Sequence, residues 1–203
     1  MGRPKLHNEQ VRDQLLSHAI ALLEKDGPPA VRARRVADHA GTSTAALYEL
    51  FGDKGGLIRA VFFEGFAALH EALTAVPTTD DPRRDLIALM AASREFAIAR
   101  PMLFEVMYAR PFAEFDPSAE ETEVGNAIYR LTVKAVGRWL SAEGSAMSAV
   151  AASHVLVATH RGLLATELAG LAGRSESTRR RRYALGVEAV LAGLLAVVPS
   201  GEP

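Results

Sequence analysis

Glycine and proline cut the first fifty residues of this chain into three short helices, and that punctuation limits the fold more than any other feature. Gly27-Pro28-Pro29, Gly41 and Gly52 are the stops. Glycine tolerates the backbone conformation that closes a helix, and proline cannot continue one. Asn8 is placed to cap a first helix that runs to about Asp26, with Leu15, Ala19, Leu22 and Leu23 at helical spacing. A second helix covers about 32–40 and a third about 44–51. The third lies in "GTSTAALYELFGDKGGL", a stretch too broken for a long core helix and too apolar for a loop.

The helical period continues downstream, and runs of alternating β-branched residues are scarce. Asp53 opens a long helix to about Ala75, with Leu57, Val61, Ala68 and Leu69 turned inward. Asp81-Pro82 places a capping oxygen before a proline at the first helical position, which starts a helix to about 99. Further helices are expected at about 101–109, 118–142, 147–172 and 177–197, the last three separated by Gly144-Ser145 and "GRSES". The expected fold is all-α, with about nine helices.

Composition removes several classes of function. The 203 residues fit one large domain, or a small domain joined to a medium one. Cysteine is absent, so the chain has no disulfide framework, no thiolate zinc site and no cysteine nucleophile. "MGRPKLHNEQ" lacks the apolar core of a signal peptide, and no uncharged apolar run reaches the ~20 residues of a membrane span. A cytoplasmic protein is the expectation. Residues 1–60 hold nine Lys/Arg against seven Asp/Glu, although the whole chain is at -1. This weak basic tilt permits nucleic-acid binding at the N-terminal end without demanding it.

The second and third helices, joined at Gly41, have the spacing of a helix-turn-helix. Ala37 and Gly41, four apart, would leave room for two steeply crossing helices. Val36, Ala40, Leu47 and Leu50 are spaced to form a small shared core. Ser43 or Thr44 would cap the third helix through a side-chain oxygen. Its exposed face would then hold Thr44, Ala45, Tyr48 and Glu49, small and polar groups suited to a major groove about 12 Å wide.

"VRARRVADHAGTSTAALYELFGDKGGLIRAV" resembles the DNA-binding domain of the TetR family of transcriptional regulators. Val36-Ala37, Ala40-Gly41, Ser43, Leu47-Tyr48, Phe51, Lys54 and Leu57 carry the resemblance, in the family's order and spacing. "ARPMLFEVMY" and "VATHRGLLATELAG" look like segments of one subgroup's C-terminal domain. The resemblance implies a DNA-binding domain at 1–52 and a ligand-binding and dimerisation domain at 53–203. It makes Thr44 to Glu49, with Ala45 and Tyr48 between them, the recognition helix that follows Ser43. It puts Tyr48 and Lys54 on phosphates, and Arg3 and Lys5 in a basic N-terminal arm along a groove. Departures from the family are visible as well. Val31 and Arg32 stand where members usually have Thr or Ser, so Arg32 or Arg34 would replace the missing phosphate contact. Thr42 replaces an apolar turn residue, and Leu50 a His or aromatic. Glu49 is acidic on a DNA-facing helix, where it would either accept from cytosine N4 or face away. Gly55-Gly56 replaces a charged pair and weakens the first turn of its helix, by roughly 1 kcal/mol per glycine relative to alanine.

The resemblance also implies a homodimer, formed by the helices at about 147–172 and 177–197 packing with their two-fold mates as a four-helix bundle. Two recognition helices would then meet a palindromic operator about 34–36 Å apart. A small, largely apolar effector would occupy a cavity near Phe96, Met102, Phe104, Met107, Phe112, Tyr129 and Trp139, with His160 as a polar group. His154 and His160 are six apart on one helix and form no metal pattern; either would be a buried hydrogen-bonding residue or a polar group in a ligand pocket, and no cofactor is implied. The run Arg179–Arg182 reads as a solvated face with intramolecular or dimer pairing. "GTSTA" lacks the second glycine and preceding strand of a nucleophile elbow. A ligand-responsive repressor is the expected function. A constitutive DNA-binding regulator, and an all-α small-molecule-binding protein or enzyme, remain alternatives at this point.

Overall fold

A computed structural model of the protein describes the backbone of residues 3–108 and 119–197, and the side chains of 8–108, 123 and 125–197. Every regular element among the described residues is helical. The order is α1 (Arg3–Asp26), a short 3-10 turn (Pro28–Ala30), α2 (Ala33–His39), α3 (Thr44–Phe51), α4 (Lys54–Thr74), α5 (Pro82–Ala99), α6 (Pro101–Tyr108), α7 (Ala119–Ala142), α8 (Ala149–Leu168) and α9 (Glu176–Ala196). No helix among the described residues is long and apolar enough to cross a membrane.

The capping chemistry explains most of these boundaries. Ser43, Ser148 and Ser175 each stand before a helix and accept from the backbone N–H three residues on. Asp81 does the same for Arg84 at 2.9 Å, ahead of Pro82. At the C-terminal ends of α2, α7 and α8, glycines with positive φ close the helix with paired bonds. After α2, Thr42 N–H reaches the Ala37 carbonyl at 3.0 Å and Gly41 N–H reaches that of Asp38 at 3.3 Å. After α8, Leu171 and Gly170 repeat the pattern on Thr166 and Glu167.

Two sequence expectations are corrected here. The first helix does not begin at Asn8. It begins at Arg3, because Pro4 falls in the first turn, where a missing N–H costs nothing. The eighth helix is shorter than 147–172 at both ends, cut by the Ser148 cap and by Gly170 at φ +76°.

The chain forms two compact units, one from residues 1–68 and 100–124, the other from 69–99 and 125–203. In the first, Leu15, Ala19, Leu23, Val36, Leu47 and Leu57 are almost wholly buried. Glu24 of α1 accepts from the Met102 and Leu103 N–H groups at 3.2 and 2.8 Å, capping α6 from a distant helix. Gly65 lets α4 lie against α6: a Cβ there would sit 2.7 Å from Met107 Cγ.

The second unit buries Leu86, Leu156, Leu164, Leu191 and Trp139. Gly186 of α9 lies against Leu163 of α8, where a Cβ would approach to 2.7 Å. Charged groups are buried here as well. Arg94 donates to both carboxylate oxygens of Glu167, at 2.9 and 2.5 Å, and to Glu176 at 2.9 Å. Its guanidinium also lies over the Tyr183 ring, 5.5 Å from the centroid. The Glu167 bonds hold Arg94 still more firmly protonated than usual, and the Arg94 bond lowers the Glu176 carboxyl. Arg179 joins this cluster through Glu176 and Glu167, which accounts for one member of the arginine run as intramolecular pairing.

Candidate nucleic-acid interface

The third helix is built to show one face. Ser43 Oγ accepts from Ala46 N–H at 3.1 Å and fixes the helix start, so the cap falls to Ser43 and not Thr44. Leu47 is fully buried against the rest of its unit. Ala45, Tyr48 and Glu49, at i, i+3 and i+4, are exposed, and Tyr48 keeps 47% of its surface in solvent. Thr44 is half-buried at the first helical position. Arg12 of α1 lies over the Phe51 ring at 5.6 Å and holds the helix from behind.

The shared core is smaller than the spacing suggested. Val36, Ala37 and Leu47 form it, whereas Ala40 and Leu50 are half-buried at its rim. The reading of Gly41 also changes. A Cβ at Gly41 would meet nothing within 4 Å, so no close helix approach requires glycine there. Its φ of +64° does, because it lets Thr42 and Gly41 close α2.

The close approach is at Gly56 instead. A Cβ on Gly56 would overlap the Phe51 carbonyl oxygen and sit 3.0 Å from its carbonyl carbon. That carbonyl accepts from Asp53 N–H at 3.0 Å, and Asp53 Oδ1 accepts from Gly56 N–H at 2.8 Å. The turn joining α3 to α4 is therefore folded tightly over Gly56. Sequence reasoning priced this glycine only for its weak helix propensity, because nothing local marks a contact five residues back.

The helices before and after α3 in the chain carry exposed cations. Lys54 opens α4, and Arg34 projects from α2; both are exposed and make no hydrogen bond or ion pair among the described residues. Arg32 is exposed too, and its Nε donates to the Pro29 carbonyl at 3.0 Å. It occupies the cap position of α2 with no side-chain cap bond, as its replacement of Thr or Ser implied. Arg35, by contrast, is ion-paired with Asp26. The backbone of Arg3 and Lys5 continues α1, and their side chains lie outside the described residues.

A helix-turn-helix with a capped, outward-facing second helix is what the family comparisons meet. The profile for bacterial regulatory proteins of the tetR family matches residues 15–61, and that for the tetracyclin repressor-like C-terminal domain matches 86–190. The chain belongs to the TetR family. It is a transcriptional regulator with an N-terminal DNA-binding helix-turn-helix and a helical C-terminal domain. Among solved structures it is similar to a protein of unknown function from Rhodococcus sp. RHA1, at 28% identity and a TM-score of 0.79 over 91% of this chain and 95% of that one. It also shares the fold of NalD, the secondary repressor of the MexAB-OprM multidrug efflux pump in Pseudomonas aeruginosa, at 20% identity, a TM-score of 0.62 and coverage of 92% and 96%. A single-residue variant of TetR from Acinetobacter baumannii AYE in complex with minocycline matches at 20% identity, a TM-score of 0.61 and coverage of 88% and 93%. No curated protein matches the chain.

In this TetR-family chain the expected cavity residues fall into different units. Met102, Phe104 and Met107 lie in the first; Phe104 packs on Tyr108 with ring centroids 4.8 Å apart. Phe96, Tyr129, Trp139 and His160 lie in the second. Phe112 is outside the described residues. Trp139 is fully buried, and its indole N–H has no acceptor among the described residues. Tyr129 faces exposed His154, 5.5 Å between centroids.

His160 is a link in a closed chain. The Tyr183 hydroxyl donates to the Met90 carbonyl at 2.8 Å and so must accept from His160 Nδ1–H at 2.6 Å. Nε2 is then the acceptor, and Ser93 Oγ donates to it at 2.8 Å. Burial, aided by Arg161, pushes His160 down to about 4, and burial pushes the Tyr183 phenol up. With every polar atom of the imidazole taken, His160 ties α5, α8 and α9 together.

Proposed function

We propose that this regulator is a homodimeric repressor that reads a palindromic operator through α3 and releases it when a small molecule binds the C-terminal domain. The observation that carries the reading is the exposed Ala45, Tyr48 and Glu49 face of the capped α3, with exposed Arg34 and Lys54 on the helices before and after it in the chain. Tyr48 and Lys54 would hold phosphates and set the register, as would Arg32 or Arg34. Thr44, Ala45 and Glu49 would face base edges, with Glu49 accepting from cytosine N4.

Dimerisation is supported by the outer face of α8. Ala151, Val155, Ala158, Gly162, Ala165 and Ala169 recur at three- and four-residue steps, and all are exposed in the single chain. Leu185 of α9, 69% exposed, extends the apolar surface. Small residues at helical spacing suit close packing of helices across a two-fold axis. Repression and ligand release are supported by the neighbours, one a repressor and one bound to minocycline. Helix α4, about 30 Å long, would carry the coupling, since Lys54 is its first residue. The ligand can shift DNA affinity only by its differential affinity for the two states. We place the protein in the cytoplasm, where its DNA is.

A gel shift with the protein's own upstream DNA tests this function. Site-selective, salt-sensitive retardation is expected, and its absence sinks the reading. Tyr48→Phe and Lys54→Ala should weaken binding to all sequences alike, whereas Glu49→Gln should alter base preference at one position per half-site.

A further inference from the structure

Beside the exposed face of α3 runs a second stripe. Thr44, Tyr48 and Phe51 stand at i, i+4 and i+7, in line along the helix. Tyr48 belongs to the exposed face as well, and Phe51 at the end of the stripe is half-buried. That end carries a cation that α3 does not supply. Arg12 comes to α3 from behind, out of α1, and its guanidinium lies over the Phe51 ring, 5.6 Å from the centroid. The Arg12 side chain keeps 45% of its surface in solvent, so the ring covers the head without enclosing it.

Little else holds that head. The carboxylate of Asp13, the next residue of α1, stands 4.0 Å from Arg12 Nη1 and is 76% exposed. A pair that long and that wet is weak. Among the described residues the Arg12 guanidinium makes no hydrogen bond. A guanidinium resting on an aromatic ring still has its N–H donors to give, and the ring limits how far the head can wander. The fork is therefore held in place before a partner arrives. Covering Phe51 needs no charge, since an apolar side chain from α1 would do the same.

We propose that Arg12 is a further phosphate contact of the DNA interface, its fork gripping the backbone beside Tyr48. Tyr48 and Phe51, three apart, are neighbours on the surface of α3, so a cation over Phe51 meets the same stretch of backbone as the Tyr48 hydroxyl. Such contacts fix register and orientation and carry no base preference. The proposal rests on the reading of α3 as the DNA-facing helix. It extends the contact surface to a helix that precedes the helix-turn-helix.

The test measures the affinity of the full chain for its own upstream DNA and for a scrambled duplex of equal length, from about 50 to 200 mM salt. Each phosphate contact adds about 0.9 to the slope of log affinity against log salt. Arg12→Leu keeps an apolar cover on Phe51 and removes the charge. It should lower the slope by about 1.8 for two protomers, on both duplexes, so that this rise in salt costs it about tenfold less affinity than it costs the wild type. Arg12→Lys keeps the charge and should keep the slope. Circular dichroism checks that each variant is folded, and Arg12→Gln replaces Arg12→Leu if that variant is not. A wild-type slope in the charge-free variant, or a loss confined to the upstream DNA, overturns the contact. So does a slope that falls equally in Arg12→Lys, because the charge is then not what matters. A wild type that binds neither duplex brings down the DNA-facing reading of α3 and this contact together. A wild type that binds, with an unchanged slope in the charge-free variant, removes the contact alone.

Discussion

Two adjacent glycines open α4, and the structure assigns opposite signs to the same substitution in them. Gly→Ala inside a helix stabilises by up to about 1 kcal/mol. At Gly55 the new Cβ would meet Asp53 Oδ1 at 3.1 Å. That oxygen ends a side chain and can yield a few tenths of an ångström while keeping its 2.8 Å bond from Gly56 N–H within hydrogen-bonding range, so Gly55→Ala should gain about 0.5–1 kcal/mol. At Gly56 the Cβ would overlap the Phe51 carbonyl oxygen. A backbone carbonyl cannot step aside alone, and this one also holds Asp53 N–H. The α3–α4 turn must open, at an overpacking cost of about 1–3 kcal/mol. The Asp53 cap on Gly56 N–H is strained with it, for about 1 kcal/mol more. Net of propensity, Gly56→Ala should lose about 2 kcal/mol, which separates the two variants by roughly 3 kcal/mol. With a slope of about 2 kcal/mol/M, urea midpoints followed by circular dichroism should differ by about 1–2 M. Protein concentration must be held fixed, because dimerisation contributes to apparent stability. Gly56→Ala should also lose operator retardation, since the opened turn moves Lys54 relative to Tyr48. Equal midpoints for the two variants, or unimpaired DNA binding by Gly56→Ala, would refute the tight-turn argument.

Other expectations follow from single contacts. Arg32→Thr supplies the cap oxygen that α2 lacks and should stabilise the protein by about 1 kcal/mol in urea titrations. Gly41→Ala should cost about 1 kcal/mol from its positive φ alone, and Gly41→Asn less, since no neighbour blocks a side chain there. Arg94→Ala leaves buried Glu167 with only the ion pair to Arg179 at 3.6 Å and should cost about 3–5 kcal/mol; adding Glu167→Gln should recover part of that. His160 has a folded pKa of about 4 against 6.5 unfolded, so protonation favours the unfolded chain. Its contribution is complete above about pH 6.5 and drains away as pH falls toward 4, by up to about 3 kcal/mol. His160→Gln should be less stable at pH 7.5 but lose less between pH 6.5 and 4.5, measured by urea midpoints across that range.

The helical punctuation could be read directly because caps act over three or four residues. Ser43, Asp53 and Asp81 each bond an N–H three positions on, and each was expected as a cap from its place before an apolar-periodic run. The same locality made α3 and α5 legible to the residue. Where the reading failed, the cause was a reason hidden behind a residue type. Glycine serves both for positive φ and for missing bulk, and the sequence shows only that it is glycine. Gly41 was read as making room, yet it has open space and a φ of +64°; Gly56 was read as merely weak, yet it is the position with no room. Leu50 has the right period for the shared core but is half-buried, since a helix of eight residues turns only part of its surface inward.

The two halves of the molecule differ in how far apart their determinants lie. Among the described residues, the hydrogen bonds that shape the turn-and-helix at 37–57 join residues no more than five apart. In the second unit the shaping bonds span 53 residues for Asp85 and Arg138, 67 for Ser93 and His160, 73 for Arg94 and Glu167, and 93 for Met90 and Tyr183. Periodicity cannot pair positions that far apart. Nothing local to α5 marks Arg94 as 3% exposed, and of the two readings open for His160, a buried hydrogen-bonding residue or a polar group in a pocket, only the long-range partners on both nitrogens decide for the first. The same separation lets the C-terminal half vary. A long-range pair can be exchanged as a unit for another pair of similar volume without touching local helix signals. The turn at 37–57 has no such freedom, because each of its bonds uses the backbone itself. The resemblance at that turn accordingly carries residue roles for DNA, whereas the resemblance of the C-terminal half carries a fold and names no ligand.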